Sequence, residues 1–340
     1  MGGGHGRSAG PEAPIPGAGW IIFFRPDKVG IMSTGFTETD WIWKDGEFVA
    51  WKEATTHILS LAVQFGSSVF EGIRCYDTET GPAIFRLRDH IRRLRDSCAI
   101  YRMTPGPAWE EVEEACAATV RKNELRDCYI RPMVLRGYGS AGLDPALSPV
   151  ESYICAWPWG AYLGDGALER GVDVCVSSWM RAHPNTFPVQ AKAAGHYNAA
   201  QLMKMEALAD GYAEALAVGP DGLLSEGSGQ NVFLVREEVV YTPFLDGTNL
   251  RGITRESVKV VAGELGYEVV EAHIPREALY TADELFFTGT ASEVTPIRSV
   301  DKIPVGDGKG GAVTLAIQRR FMEMVRGEIP DRYGWLTRVE

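Results

Sequence analysis

The stretch Gln190-Ala-Lys-Ala-Ala-Gly195 sets one lysine, Lys192, among small residues without a second charge. A lysine in such apolar surroundings is a candidate for the desolvated amine that Schiff-base chemistry requires. Taken alone, the stretch fits a solvated loop lysine better, because lysines are rarely buried. The rest of the chain has to decide between these two interpretations.

Two glycine-containing segments downstream of Lys192 place polar groups beside flexible backbone. Ser225-Glu-Gly-Ser-Gly-Gln-Asn231 lets backbone approach a ligand closely, and its Glu226 can offer a carboxylate to a protonated ring nitrogen. Gly289-Thr-Ala-Ser-Glu293 follows a predicted strand and presents amides and hydroxyls to an anion. Either segment also fits an ordinary turn with a solvated acid.

A third segment predicts an anion site at a helix N-terminus. Leu250-Arg-Gly-Ile-Thr-Arg255 opens a helix directly after a turn, so the amides of Ile253 and Thr254 lie in its first turn and attract phosphate. The alternative is that Thr254 is a plain N-cap, which the residues alone favour.

Three arginines are candidates for binding negatively charged groups. Arg74 lies in Phe70-Glu-Gly-Ile-Arg-Cys-Tyr76, and Arg93 lies on a predicted helix, where a solvated surface charge is the default. Arg131 lies in a predicted strand, Tyr129-Ile-Arg-Pro132. A planar guanidinium that faces a pocket from a strand can bind a carboxylate through two hydrogen bonds.

Composition limits the class of protein. The chain has 340 residues, enough for two domains, and its 45% hydrophobic and 23% charged residues are ordinary for a globular protein. The net charge of -11 argues against a nucleic-acid partner. No apolar run reaches the roughly 18 residues of a membrane span. Six scattered cysteines without metal-ligand spacing predict thiols in a reducing compartment, so we expect a cytoplasmic protein that binds no metal. The sequence also lacks the dinucleotide-binding, hydrolase-elbow and P-loop motifs.

Hydrophobic periodicity predicts two domains of mixed helices and strands. The first begins with a hairpin around Asp45-Gly46 and contains two amphipathic helices, 88–103 and 109–122. The predicted units are a flexible N-terminal extension (1–37), a small α+β domain (38–156), an interdomain loop (157–167) and a large ligand-binding domain (168–340).

Taken together, these segments resemble the bacterial branched-chain amino-acid aminotransferases, in order, from Trp41 to Leu336. The matching stretches are Phe65-Gly-Ser-Ser-Val-Phe-Glu-Gly-Ile-Arg-Cys-Tyr76, His90 to Arg102, Tyr129-Ile-Arg-Pro132, Pro158-Trp-Gly-Ala-Tyr-Leu-Gly164, Ala191-Lys-Ala-Ala-Gly-His-Tyr197, Ser225-Glu-Gly-Ser-Gly229, Gly252-Ile-Thr-Arg255 and Gly289-Thr-Ala-Ser-Glu-Val-Thr-Pro-Ile-Arg298. The resemblance implies an α/β, two-domain architecture of the D-amino-acid aminotransferase-like fold type IV, with a small α+β sandwich domain and a larger pseudo-barrel domain. It also implies transamination between Leu, Ile or Val and 2-oxoglutarate, with pyridoxal 5'-phosphate as cofactor.

Carried over by matching position, the resemblance implies how the cofactor is held. Lys192 would bind it covalently and move the proton between substrate and cofactor. Glu226 would keep the ring nitrogen protonated, which makes the ring an electron sink, and Tyr197 would hydrogen-bond the ring hydroxyl. The phosphate would be held by Arg93, Thr290 and the amides of Ile253 and Thr254.

The resemblance further implies a substrate pocket shared across a homodimer or a higher homo-oligomer. The α-carboxylate would lie near Tyr129 and the backbone of Thr290 and Ala291, and Arg74 is a further candidate for substrate contact. Arg131 would pair with the γ-carboxylate of glutamate or 2-oxoglutarate. The apolar wall would consist of Phe70, Trp159 and Tyr162, closed by Leu143 of a neighbouring subunit.

Two positions depart from many of these relatives. Gln64-Phe65 stands where relatives often have His-Tyr, so a phenol near the substrate carboxylate is missing. Gln230 stands where they often have Glu. The first departure bears on the glutamate half-reaction and on fine specificity, and the second changes the charge near the cofactor.

Two other kinds of function share this lysine and fold. A D-amino-acid aminotransferase or an aminodeoxychorismate lyase would use Lys192 as well, but the stretches Phe70 to Tyr76 and Pro158 to Gly164 favour the branched-chain interpretation. A non-catalytic protein that only binds the cofactor would not be expected to retain the lysine, the ring-nitrogen acid and the phosphate arginine together.

Overall fold

The computed structural model describes residues 1–2, 37–160, 162–164 and 166–340. The predicted extension at 1–37 therefore lies outside the described residues, apart from residues 1, 2 and 37. Within the described ranges, no helix is long and apolar enough to cross a membrane.

The first sheet is antiparallel and contains eight strands in the described part of the chain. Its strands are β1 (Trp41–Lys44), β2 (Glu47–Ala50), β3 (Ser68–Phe70), β4 (Ile73–Thr78), β5 (Gly81–Phe85), β6 (Cys128–Arg136), β7 (Val150–Pro158) and β17 (Leu336–Arg338). Their order is β17-β5-β4-β6-β7-β1-β2, with β3 paired to β6. The helices of this part are α1 (Leu61–Phe65), α2 (Leu87–Ile100) and α3 (Trp109–Lys122), and a 3-10 turn spans Trp51–Glu53.

Local sequence accounts for much of this sheet. The predicted hairpin around Asp45 and Gly46 is confirmed, with both residues at positive φ as a two-residue turn requires. Both predicted amphipathic helices are confirmed as α2 and α3, and each buries its apolar stripe against the sheet. The sequence also predicts a second hairpin, with Ser67 to Tyr76 as its first strand, and β4 and β5 confirm this hairpin. Its first strand is not continuous, because β3 ends at Phe70 and pairs with β6, and β4 begins only at Ile73.

The second sheet is mixed and contains nine strands among the described residues. Its strands are β8 (Val172–Val176), β9 (Glu214–Val218), β10 (Leu224–Gly227), β11 (Asn231–Arg236), β12 (Val239–Pro243), β13 (Val269–Ala272), β14 (Glu284–Gly289), β15 (Glu293–Val300) and β16 (Ile303–Pro304). Their order is β10-β9-β8-β15-β14-β11-β12-β13, with β16 paired to β15. The helices are α4 (Ala167–Arg170), α5 (Tyr197–Ala209), α6 (Ile253–Glu264) and α7 (Ala312–Val325), with 3-10 turns at Ala194–His196 and Arg276–Tyr280.

The two sheets share a hydrophobic core. Tyr76 and Phe85 of the first sheet pack with Phe233 and Phe286 of the second, and Phe321 of α7 meets the Phe85 ring edge-on. The C-terminal strand β17 pairs with β5, so the chain returns to the first sheet at its end. The domain limits 38–156, 157–167 and 168–340 stay a prediction.

Candidate active site

Residues of both sheets line one cavity of about 910 Å³. Segments that lie far apart in the sequence meet there, and all the predicted site residues except two line it. Those lining it are Phe70, Arg93, Tyr129, Arg131, Trp159, Tyr162, Lys192, Tyr197, Glu226, Ile253, Thr254, Thr290 and Ala291.

Lys192 is half-buried and fixed at both ends. Its backbone N–H donates to Ser97 Oγ at 3.0 Å, and its carbonyl accepts from the Phe70 amide at 3.0 Å. At the other end, Lys192 Nζ donates to the Tyr197 hydroxyl and lies 4.9 Å from the centroid of the Phe70 ring. The turn at Ala194–His196 brings Tyr197 back toward the amine. The solvated-loop interpretation does not fit this geometry.

Arg93 is clamped by a buried carboxylate. Arg93 Nε and Nη2 donate to the two oxygens of Glu71 at 2.6 and 2.8 Å, and His90 Nδ1 lies 2.7 Å from the same carboxylate. Burial alone would raise the pKa of Glu71, but Arg93 and His90 outweigh it and hold that pKa well below its ordinary range. Burial lowers the pKa of His90, against the pull of Glu71. The default interpretation of Arg93, a solvated charge, is therefore wrong.

The N-terminus of α6 lies beside this arginine. Arg93 Nη1 donates to the Arg251 carbonyl at 2.9 Å. The cap residue is Gly252, in extended backbone, and no side chain caps the helix, so Thr254 is not its N-cap. A Cβ on Gly252 would lie 1.9 Å from Asn231 Oδ1, so the close approach requires glycine. The first-turn amides, including those of Ile253 and Thr254, thus remain available to an anion.

Glu226 is buried at the end of β10 with donors on both oxygens. Its Oε2 accepts from Asn231 Nδ2 at 3.0 Å and from the Leu250 amide at 3.3 Å, and its Oε1 lies 3.0 Å from Arg181 Nη2. Burial raises the pKa of Glu226, and the guanidinium of Arg181 opposes that shift. The solvated turn acid is excluded at this position.

Arg131 lies in a cage of aromatic rings. Alternation along β6 places it on the same face as Tyr129, whose hydroxyl accepts a long contact of 3.4 Å from Arg131 Nη2. Its guanidinium carbon lies 4.7 Å from the centroid of the Phe70 ring and 5.7 Å from that of Trp157. Among the described residues, Arg131 Nε is buried without a hydrogen-bond partner. The cavity thus combines apolar walls with an unpaired cation.

Two predicted site residues do not line the cavity. Arg74 instead pairs with Asp127 at 2.7 Å and with Glu293 at 3.7 Å, so its predicted substrate contact lacks support from this geometry. Glu293 pairs with Gly289 across the turn that carries Thr290. Through its contact with Glu293, Arg74 therefore helps to hold this turn of the cavity wall in place. Leu143 is 85% exposed on the segment between β6 and β7, and its predicted role in a neighbouring subunit stays a prediction.

The chain is similar to known enzymes over most of its length. The Amino-transferase class IV family matches residues 68–300. The Escherichia coli branched-chain-amino-acid aminotransferase is 48% identical over 303 residues, which cover 89% of this chain and 98% of that one. The chain belongs to the branched-chain-amino-acid aminotransferases. Two solved structures of this family superpose closely.

The crystal structure of the Escherichia coli branched-chain amino acid aminotransferase has a TM-score of 0.87 and 48% identity, over 89% of this chain and 100% of that one. The branched-chain amino acid aminotransferase from Thermobaculum terrenum, in its PLP-form, has a TM-score of 0.81 and 33% identity, over 89% of this chain and 99% of that one. The predicted family, fold class and pyridoxal cofactor of a branched-chain aminotransferase are thereby confirmed.

The cavity fits a phosphorylated pyridoxal. Three of the five N–H groups of Arg93 are used by Glu71 and the Arg251 carbonyl, which leaves two for an anion. Within the described residues, the hydroxyls of Thr288 and Ser292 are buried in the cavity wall without a hydrogen-bond partner. Unpaired buried hydroxyls beside uncapped amides are what a phosphate would satisfy.

Sequence reasoning missed the residues that hold this aminotransferase site in place. Glu71 and His90 orient Arg93, and Arg181 contacts Glu226. The sequence does contain an indication for Glu71, because a charged residue within an apolar segment needs a partner if it is buried. Arg181 lies in an irregular loop, where its sequence neighbours give no such signal.

Proposed function

We propose that this chain catalyses transamination between branched-chain L-amino acids and 2-oxoglutarate (EC 2.6.1.42), giving branched-chain 2-oxo acids and L-glutamate. Pyridoxal 5'-phosphate, when bound, supplies an electron sink for the bond-breaking step at the substrate Cα. All other work falls to residues of the chain. The observation that carries the proposal is the caged Arg131 in the same cavity as Lys192.

Arg131 accounts for two unlike substrates in one pocket. The γ-carboxylate of glutamate or 2-oxoglutarate pairs with the guanidinium, whose Nε has no other partner among the described residues. A leucine side chain leaves that cation unpaired, which would be costly in a dry pocket. The faces of Phe70 and Tyr129, at 4.7 and 5.2 Å, then compensate the charge through cation–π contacts while their apolar surfaces contact the aliphatic chain.

Lys192 performs the proton transfer. The hydrogen bond to Tyr197 and the Phe70 ring keep Nζ in one position within the cavity, so that it can remove a proton from the substrate Cα and later return one. Tyr197 would hydrogen-bond the ring hydroxyl of the cofactor, and Glu226 would bind its ring nitrogen. Arg93, Thr290 and the first-turn amides of α6 would hold its phosphate.

A spectroscopic cycle tests this proposal. The loaded protein should show an absorbance band near the visible edge that bleaches with L-leucine or L-isoleucine and returns with 2-oxoglutarate. Lys192→Ala should abolish turnover, whereas the exposed Lys309→Ala, outside the cavity, should not. A panel of L-leucine, D-alanine and aminodeoxychorismate separates the three activities. A bound cofactor that shows no cycle, or undiminished turnover by the Lys192 variant, would contradict the proposal.

Arg131→Met tests the dual-substrate explanation. The variant should lose roughly ten-fold to hundred-fold in kcat/KM for 2-oxoglutarate, the value of a charge-assisted carboxylate contact, and keep most of its kcat/KM for L-leucine. Steady-state kinetics of both half-reactions measure this split. Equal losses for the two substrates would show that Arg131 only supports the pocket.

We also propose a homodimer or higher homo-oligomer that shares its active sites, with Leu143 of one subunit closing the pocket of another. Leu143 and Leu147, 85% and 80% exposed on one segment, support this assignment. Leu143→Glu should lower the mass measured by light scattering and raise KM for L-leucine. A cytoplasmic location is proposed as well, supported by six free thiols and testable by cell fractionation.

A further inference from the structure

Arg181 contacts the acid of the site and the backbone beside it. Its Nη2 lies 2.5 Å from the Gly227 carbonyl, 3.2 Å from the Ser228 carbonyl and 3.0 Å from Glu226 Oε1. The arginine side chain is only 12% exposed, and it lines the cavity. It therefore ties the Glu226 carboxylate and the following two residues into one unit.

The hydrogen bonds of Glu226 fall on one oxygen and leave the other, Oε1, open to a further donor. A carboxylate offers about four lone-pair positions. On Oε2, Asn231 Nδ2 and the Leu250 amide occupy two of them. Arg181 lies beside Oε1 as an ion-pair partner at 3.0 Å while its Nη2 donates to the two carbonyls, and Oε1 belongs to a residue that lines the cavity. With both oxygens held, the carboxylate cannot turn away.

We propose that Arg181 is a positioning residue that holds the Glu226 carboxylate in place and directs its Oε1 to the ring nitrogen of the cofactor. The proposal rests on the proposed function only for the identity of that cofactor. It predicts an energetic link between Arg181 and the ring nitrogen, although Arg181 does not itself touch the ring. An arginine that merely anchors the loop would stabilise the site without such a link.

A cofactor analogue in which a CH group replaces the ring nitrogen separates these two roles. Dissociation constants of the apoprotein for pyridoxal 5'-phosphate and for the analogue are measured by equilibrium dialysis, for the wild type and for Arg181→Met. Arg181→Met should weaken binding of pyridoxal 5'-phosphate roughly ten-fold to hundred-fold, as for the loss of one charged contact that positions the carboxylate. Its affinity for the analogue should match that of the wild type.

Arg298→Met is the matched control, because Arg298 pairs with Asp173 outside the cavity, and it should bind both compounds as the wild type does. If Arg181→Met does not fold, Arg181→Lys carries the same comparison, since lysine retains the charge but not the fork of contacts. Equal losses for the two compounds, or no loss for either, would overturn the proposal while leaving the transamination cycle of the wild type intact. A wild type that binds neither compound would instead overturn the proposed function.

Discussion

Replacing Glu71 by glutamine should destabilise the protein far more than one lost hydrogen bond does. The carboxylate is fully buried and accepts two N–H groups from Arg93 and one contact from His90, at 2.6 to 2.8 Å. In Glu71→Gln one oxygen becomes an amide donor that faces other donors, and the Arg93 cation loses its counter-charge. Breaking a buried ion pair in this way costs about 3–5 kcal/mol.

Urea unfolding of the apoprotein, followed by circular dichroism, measures this cost. Inorganic phosphate should stabilise Glu71→Gln more than the wild type, because the anion supplies the counter-charge that Arg93 has lost. Asp77→Asn is the control, since Asp77 and Arg126 form an exposed pair, and it should leave the unfolding midpoint unchanged. A cost below about 1 kcal/mol, or the same response to phosphate in both proteins, would refute the reasoning.

Three further changes have defined outcomes. Gly72→Ala places a Cβ 1.7 Å from the Tyr129 hydroxyl, so it should cost about 1–3 kcal/mol in urea unfolding and lower kcat/KM for L-leucine by displacing that ring. Gln230→Glu places a second carboxylate where the Gln230 amide donates to Glu214 at 3.0 Å. Two adjacent buried carboxylates repel each other when both are ionised, so the variant should lose more unfolding free energy at pH 8 than at pH 6. Burial lowers the pKa of His90 in the folded state, so the unfolded chain binds its proton first as pH falls through about 6.5. The wild type should therefore lose unfolding free energy between pH 7 and pH 5.5, and His90→Gln should lose less; equal slopes would contradict this.

The local hydrophobic pattern of the sequence predicted the long helices and strands of the fold and missed the short ones. The three- and four-residue spacing of Ile91, Leu94 and Cys98 predicts α2, and all three are buried. Strand β17 has three residues and pairs with β5, which lies some 250 positions earlier. Nothing in a three-residue segment identifies such a partner, because pairing at this separation is decided by tertiary packing.

Motif order predicted which residues line the cavity, whereas it did not predict the residues that hold them in place. From the residues alone, Lys192, Glu226 and Arg93 each fit an ordinary surface or turn position. Their burial depends on contacts from segments more than fifteen residues away, such as Glu71 for Arg93 and Arg181 for Glu226. The sequence of one segment does not show whether such a partner exists. Residue spacing within the segment therefore cannot distinguish a functional site from an ordinary turn.

The departure at Gln64-Phe65 acquires a physical meaning from the contacts around it. Gln64 Nε2 donates to the Leu59 carbonyl at 2.7 Å, and Phe65 lines the cavity with half of its surface exposed. The Gln64 amide thus forms its hydrogen bond within its own segment. The Phe65 ring adds an apolar surface to the cavity wall but no hydroxyl. We expect Tyr129, whose hydroxyl lies beside Arg131, to supply the hydrogen bond that a tyrosine at this position would offer a carboxylate. In the proposed reaction, we therefore expect glutamate and 2-oxoglutarate to rely on Tyr129 and Arg131, and aliphatic substrates to gain an apolar contact from Phe65.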